Sequence, residues 1–357
     1  MRRRPIVLGA MSLAPGFAAL QACSAVTAGP MRHLVADDFR RAGLRGVGFG
    51  PLRTGIRPES DYEALVALGV KHVRVFAQID RVGGTDRYEV SPDQLRVLNA
   101  MLVSLERRGI HLLLTGGFQA DERSALWRSD RLQAAAVDAW RQLAQLLKGR
   151  AVVAGFDLVN EPVPPGLSFS IRHARWMDLA VQMIEAVQAV DRGRVLIVEA
   201  APNALPEAFD NVTPLPFDGL VYSFHSYMPM DFTHQTVMAE FPQPRRYPGA
   251  ALEPRSPARE LASSLEHVRR FTERHNVPVY VGEFSAVRWA PDGSAARYVQ
   301  DSIAAFNRNG WSWAYHEYRT WHGWDPEMPD RAREPHPRRT DAPVVKVLRA
   351  GLRAHAG

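Results

Sequence analysis

The chain of 357 residues has a single cysteine, Cys23, and only three lysines, Lys71, Lys148 and Lys346. One cysteine excludes an internal disulfide framework and a cysteine-based metal cluster. Long apolar runs are missing as well. The longest candidate, Ile6 to Leu20, is interrupted by Gly9, Pro15 and Gly16 and is too short and irregular to span a bilayer. Runs of like charge are also lacking. The net charge is +6, but the arginines are interleaved with 38 acidic residues, and three of them (Arg2, Arg3 and Arg4) sit in the leader. A nucleic-acid binder needs a basic stripe, so no nucleic-acid partner is expected. Dinucleotide chemistry is not indicated either, because Gly46-Val47-Gly48-Phe49-Gly50 lacks the required spacing and opens into proline rather than a helix. His316 and His322 stand six apart, which is not the zinc-protease spacing. No metal and no cofactor are expected.

What is present is ordinary globular usage, 46% hydrophobic and 23% charged residues. A domain of this length buries roughly three quarters of the surface its unfolded chain exposes, and needs no staples. Met1 to Pro5 is basic, the apolar run follows, and the run ends in Leu20-Gln21-Ala22-Cys23. That ending resembles a bacterial lipoprotein cleavage box, which implies cleavage before Cys23 and acylation of its new amino terminus. Ser24, not aspartate, comes next, so nothing marks the chain for inner-membrane retention. The expected organisation is a signal peptide at 1–22, a tether at 23–42 and one catalytic domain at 43–357. The expected location is periplasmic or outer-membrane-anchored through the lipid, with secretion as the alternative.

Beyond the polar stretch Ser24 to Ala42, apolar strand-like runs alternate with amphipathic helical ones. Strands are expected at Leu44–Pro51, His72–Gln78, His111–Phe118, Val152–Asn160, Arg194–Ala200, Gly219–Tyr227, Val277–Phe284 and Gly310–Tyr318. Helices are expected at Ser91–Arg108, Arg131–Leu147, Arg172–Val190, Pro257–Arg274, Ser294–Asn309 and Pro343–His355. Ser91-Pro92 supplies an N-cap and a first-turn proline, and Gly109 and Gly310 stand where helix C-caps belong. Eight strands, each followed by a helix or a helix-sized connection, specify an α/β fold: a single-domain (β/α)8 TIM barrel. The longest connection, Met228 to Pro257, holds six prolines and should fold over one end.

Barrel enzymes carry their chemistry at the C-terminal ends of the strands. There the sequence puts Asn160-Glu161-Pro162 after strand four, His225-Ser226-Tyr227 on strand six, Glu283 at the end of strand seven and Arg74 on strand two. Ionisable groups are costly in strands unless they are paired or functional. Two carboxylates facing one mouth meet the requirement for glycoside hydrolysis, in which one donates a proton and the other attacks. Asn160 could hold a sugar hydroxyl, and Tyr227 or Arg74 beside Glu283 would favour its ionised form. Asp157, Glu199 and Glu317 stand near enough to support them.

The set resembles glycoside hydrolase family 5, the cellulase family, within a clan of retaining barrel enzymes, from Gly46 to about Trp324. The resemblance implies Glu161 as acid/base and Glu283 as nucleophile. It also puts Arg74, Asn160, His225 and Tyr227 around the reacting sugar. Two departures bear on the substrate. The family's usual histidine at the end of strand three is replaced by Thr115-Gly116-Gly117-Phe118, and His111 lies at the opposite end of that strand. At the end of strand eight, His316 stands near the family's tryptophan platform, with Trp321 or Trp324 as the substitute ring. The expected activity is retaining hydrolysis of β-glycosidic bonds in a polysaccharide, an endo-β-1,4-glucanase above all. The alternatives are an exopolysaccharide or β-mannan hydrolase, or a silent lipoprotein that binds glycan.

Overall fold

The computed structural model describes residues 30–354 apart from 119, 251–254 and 332, so the leader and Cys23 lie outside the described residues. Eight strands run parallel: β1 (Arg45–Pro51), β2 (His72–Arg81), β3 (His111–Gly117), β4 (Val153–Asp157), β5 (Val195–Glu199), β6 (Leu220–Ser226), β7 (Val279–Phe284) and β8 (Ser312–Tyr315). Each pairs with the next, and β8 pairs back to β1 (Gly46 opposite Ala314), so the sheet closes as the (β/α)8 barrel anticipated from the alternation. A short strand, Tyr88–Val90, pairs antiparallel with the overhanging end of β2.

The helices are α1 (Glu59–Leu68), α2 (Pro92–Glu106), α3 (Ala120–Leu126), α4 (Asp130–Leu147), α5 (Phe169–Gln188), α6 (Met230–Thr233), α7 (Pro257–His275), α8 (Ser294–Arg308) and α9 (Pro343–Arg353). The punctuation works as read. The Ser91 side chain accepts from the Gln94 N–H with Pro92 at the first turn, and Gly109 and Gly310 have φ of 65° and 70°. Helix α1 was not foreseen. It is ten residues long and closed by Gly69 at φ 95°, whose N–H reaches the Leu65 and Val66 carbonyls. After β5 a 3-10 turn, Pro206–Asn211, stands where a helix would be.

Two apolar layers hold the fold. An outer layer joins the strands to the helices, and an inner one (Leu113, Ala154, Val195, Ile197, Val221, Tyr280 and Ala314) fills the barrel. The N-terminal end of the barrel is closed by residues assigned to the tether. Leu34 and Phe39 are buried in the inner layer, and Phe39 meets the Tyr280 ring edge-on at 5.7 Å. The domain therefore begins before residue 43. The polar look of this stretch concealed it, since two apolar anchors among charged neighbours leave no periodic signal.

Two register shifts decide where the polar residues point. On β7, Val281 pairs with Phe224 but Glu283 pairs with His225, so Gly282 is an extra residue. Counting by twos from the inward Tyr280 would send Glu283 outward. The bulge instead turns it into the mouth, while Val281 and Phe284 pack outward. Ala154 does the same on β4: Phe156 packs outward and Asp157 turns inward.

Candidate active site

Arg74, wholly buried on β2, is the hub of the site. Its Nε and Nη2 donate to Asp157 Oδ2 at 3.0 and 2.7 Å. Nη2 also donates to Glu199 Oε1 and Asn160 Oδ1, both at 2.9 Å, and Nη1 to Glu283 Oε1 at 2.6 Å. A buried charge is tolerable only when paired, and here one guanidinium faces three carboxylates. The second cation is His225. Its Nδ1 stands 2.9 Å from Glu161 Oε1 and 3.7 Å from Glu283 Oε2, and its Nε2 3.2 Å from Glu199 Oε1. Burial opposes its charge, but Glu283 and Glu199 push its pKa well above the ordinary value, so the ring is an imidazolium.

The carboxylates divide accordingly. Burial and the neighbouring Glu199 push Asp157 up to about 8, against the pull of Arg74 and His225, so it holds its proton at neutral pH. Thr115 Oγ1 donates to its Oδ2 at 3.2 Å. Arg74 and His225 are then balanced by ionised Glu199 and Glu283. Burial works against the charge of Glu283 as well, but His225, His316 and Arg74 hold it well below the usual carboxylate range, aided by Tyr227. The Tyr227 hydroxyl donates to Glu283 Oε2 at 2.9 Å.

Glu161 has different surroundings. Its side chain is 32% exposed against 8% for Glu283, and a carboxylate oxygen of each lies within 4.8 Å of the other. Its backbone adopts φ 48°, a left-handed conformation uncommon outside glycine. That conformation is held from three points: the Glu161 N–H on Glu199 Oε2 at 2.6 Å, the Asn160 N–H on the Gly116 carbonyl at 2.9 Å, and the Asn203 N–H on the Pro162 carbonyl at 3.1 Å. Glu199 therefore has a positioning role, touching both cations and the acid/base backbone.

Glu283 stands where two cavities meet. One, of about 510 Å³, contains Glu161, His225 and Tyr227 and is otherwise lined by Asn203, Leu205, three methionines, His234 and Trp324. The other, of about 320 Å³, contains Asn160, Phe76, Gln78, Gly117, His316 and Glu317. Arg74, Asn160, Glu161, His225, Tyr227, Glu283 and His316 are thus brought together from five strands and their loops. His316 stands edge-on to Phe76 and 3.7 Å from Glu283 Oε2. Trp321 is not brought into the cavity that holds both glutamates. It packs edge-on behind Trp324, ring centroids 4.8 Å apart, and Trp324 is the ring that lines the space, stacked on Tyr227 at 5.9 Å. His111 bonds the Ala151 carbonyl at the far end of β3.

Arg288 escaped the sequence reading. Buried beyond β7, it donates to the carbonyls of His322 (2.8 Å), Pro329, Arg333 (3.1 Å) and Glu334 (2.5 Å), and so fixes the loop that carries Trp321 and Trp324. No motif marks such a residue, because its partners are backbone atoms more than thirty residues away. Glu161, His225 and Glu283 also have the mutual spacing of a metal site.

The model of the cellulases, glycosyl hydrolase family 5, matches residues 53–321. Endoglucanase C of Acetivibrio thermocellus is 24% identical over 292 residues, covering 72% of this chain and 83% of that one. Endoglucanase C307 of Clostridium sp. gives the same figures. Among solved structures, endoglucanase Cel5A of Thermotoga maritima superposes with a TM-score of 0.71 at 16% identity, covering 88% of this chain and 100% of that one. The clostridial cellulose synthase subunit Z from Clostridioides difficile superposes with a TM-score of 0.70 at 16% identity, covering 85% and 99%. At such identities the superpositions speak for the barrel alone.

Proposed function

The chain belongs to glycosyl hydrolase family 5, the cellulases, and we propose that it cleaves internal β-1,4 bonds of a glucan with retention of configuration. The observation that carries this reading is the spacing of Glu161 and Glu283, with carboxylate oxygens within 4.8 Å. Retaining glycosidases hold their carboxyl groups about 5–5.5 Å apart, whereas inverting enzymes leave about 6.5–9.5 Å for a water. Glu283, ionised and held by Arg74 and Tyr227, attacks the anomeric carbon. Glu161 gives its proton to the departing oxygen. A water then enters beside Glu161, which takes its proton as the water displaces Glu283 from the sugar. Asn160, anchored on Arg74, is placed to hold the hydroxyl next to the reacting carbon.

Cellohexaose digestion followed by NMR tests this. Products should first appear as the β anomer and as internal fragments, and α-anomer products would overturn the retaining assignment. A panel with β-mannan and bacterial exopolysaccharide beside the glucans settles the polymer. We propose further that Cys23 is acylated and that the enzyme acts from a periplasmic or outer-membrane surface. The cleavage-box residues support this, and mass spectrometry of the N-terminal peptide, with Cys23→Ser as the control, tests it.

A further inference from the structure

We infer that the leaving-group side of the cleft takes an alkyl chain, so that β-glycosides of long-chain alcohols are substrates; this rests on the roles given above to Glu161 and Glu283. The departing oxygen is the one that Glu161 protonates, so the leaving group occupies the cavity that contains Glu161, and the attacked sugar reaches Glu283 from the other. The two cavities differ in chemistry. The sugar side presents Arg53, Gln78, Asn160, His316 and Glu317 beside the rings of Phe76 and Phe118. The leaving-group side is faced by Leu205, Met228, Met230 and Met238, with Asn203, His234 and the indole N–H of Trp324 as its polar groups outside the catalytic set.

A sugar ring needs partners along its rim of hydroxyls, and methionine and leucine side chains supply none. Unbranched, polarizable thioethers instead conform to apolar chains of varied shape. Exposed apolar side chains also follow Glu161 along the chain. The segment following Glu161-Pro162, whose Pro162 carbonyl is tied to Asn203, exposes Val163, Leu167, Phe169 and Ile171, with Leu167 fully exposed.

The reaction balances without a co-reactant. Glu283 forms the glycosyl ester, the C–O bond to the alkyl oxygen breaks, and the Glu161 proton goes to that oxygen to release the alcohol. Water returns the proton to Glu161 and frees the sugar.

The test compares kcat/KM for octyl and methyl β-cellobioside, below micellar concentration, with cellotetraose as a third substrate. The two alcohols are similarly poor leaving groups, so a difference reports binding of the chain. Each methylene taken from water is worth about a factor of four, so an octyl advantage of at least about tenfold is expected. In the double variant Met230→Gln/Met238→Gln, shown folded by its melting curve, that ratio should fall towards one. Equal rates for octyl and methyl glycosides, with cellotetraose cleaved, would overturn the inference and leave the glycosidase reading standing. An octyl preference unchanged in the double variant would also overturn it, since the chain would then bind elsewhere. Failure to cleave any of the three would remove the glycosidase reading and this inference together.

Discussion

The hydroxyl of Tyr227 lies 2.9 Å from Oε2 of Glu283, while Arg74 holds the other oxygen of the same carboxylate at 2.6 Å. The nucleophile is therefore gripped at both ends. A hydrogen bond to a charged group is worth about 1.5–3 kcal/mol. Tyr227→Phe should lower kcat by about ten- to hundredfold and move the acid limb of kcat/KM to higher pH, because Glu283 loses a donor that keeps it ionised. A pH–rate profile of the variant checks both, and an unmoved acid limb would deny Tyr227 this role.

Glu161 and Glu283 should fail in different ways. Glu283→Gln has no nucleophile and should be inactive on every glycoside. Glu161→Gln should lose about 10²–10⁴ in rate on cellotetraose. It should keep a fast first step on a dinitrophenyl glycoside, whose leaving oxygen needs no proton. Burst kinetics distinguish the two.

These roles were legible because the residues that carry them fall at strand ends, where an apolar run stops at a polar residue. Asn160-Glu161 and His225-Ser226-Tyr227 need only the strand direction to be placed. The barrel was legible for the same reason, since each strand and nearly every helix leaves its own local pattern. What could not be read depends on partners far along the chain. The insertion of Gly282 shows only against the register of β6. Leu34 and Phe39 look like tether until Tyr280 is set against Phe39. Trp321 and Trp324 are equally good platforms until Arg288 fixes the path of their loop.

Removing the hub should cost stability before it costs chemistry. Arg74→Met leaves the buried Glu199 and Glu283 with one of their two shared cations gone, and breaking such a pair destabilises by about 3–5 kcal/mol. Arg74→Lys keeps the charge but not the fork that reaches Asp157, Asn160, Glu199 and Glu283 together, so it should recover only part of the loss. Urea unfolding of the two variants beside the parent tests the order.

Asp157 should make the protein less stable in alkali. Its folded pKa, about 8, lies above the unfolded value near 3.8. Its contribution is therefore fully present below the unfolded value and declines as pH rises to about 8, the folded state holding a proton that the unfolded state has released. Asp157→Asn mimics the protonated form. It should fold well, and its melting temperature should decline less between pH 5 and pH 8 than that of the parent. A loss of stability equal at both pH values would mean that Asp157 is ionised throughout. Glu283 has the opposite sign, adding stability above its unfolded value that is lost as acid protonates it.

Gly282 makes the reaction sensitive to counting rather than to composition. Were Gly282 to enter the ladder opposite His225, every side chain of β7 and every strand of the barrel would still be there, yet Glu283 would fall on the outward face, among the helices. A substitution grades activity, but a slip of one position here acts as an on–off step, because a strand offers two faces and nothing between them. Two chains in this family could therefore share almost every residue around Glu283 and still differ in whether they do any chemistry.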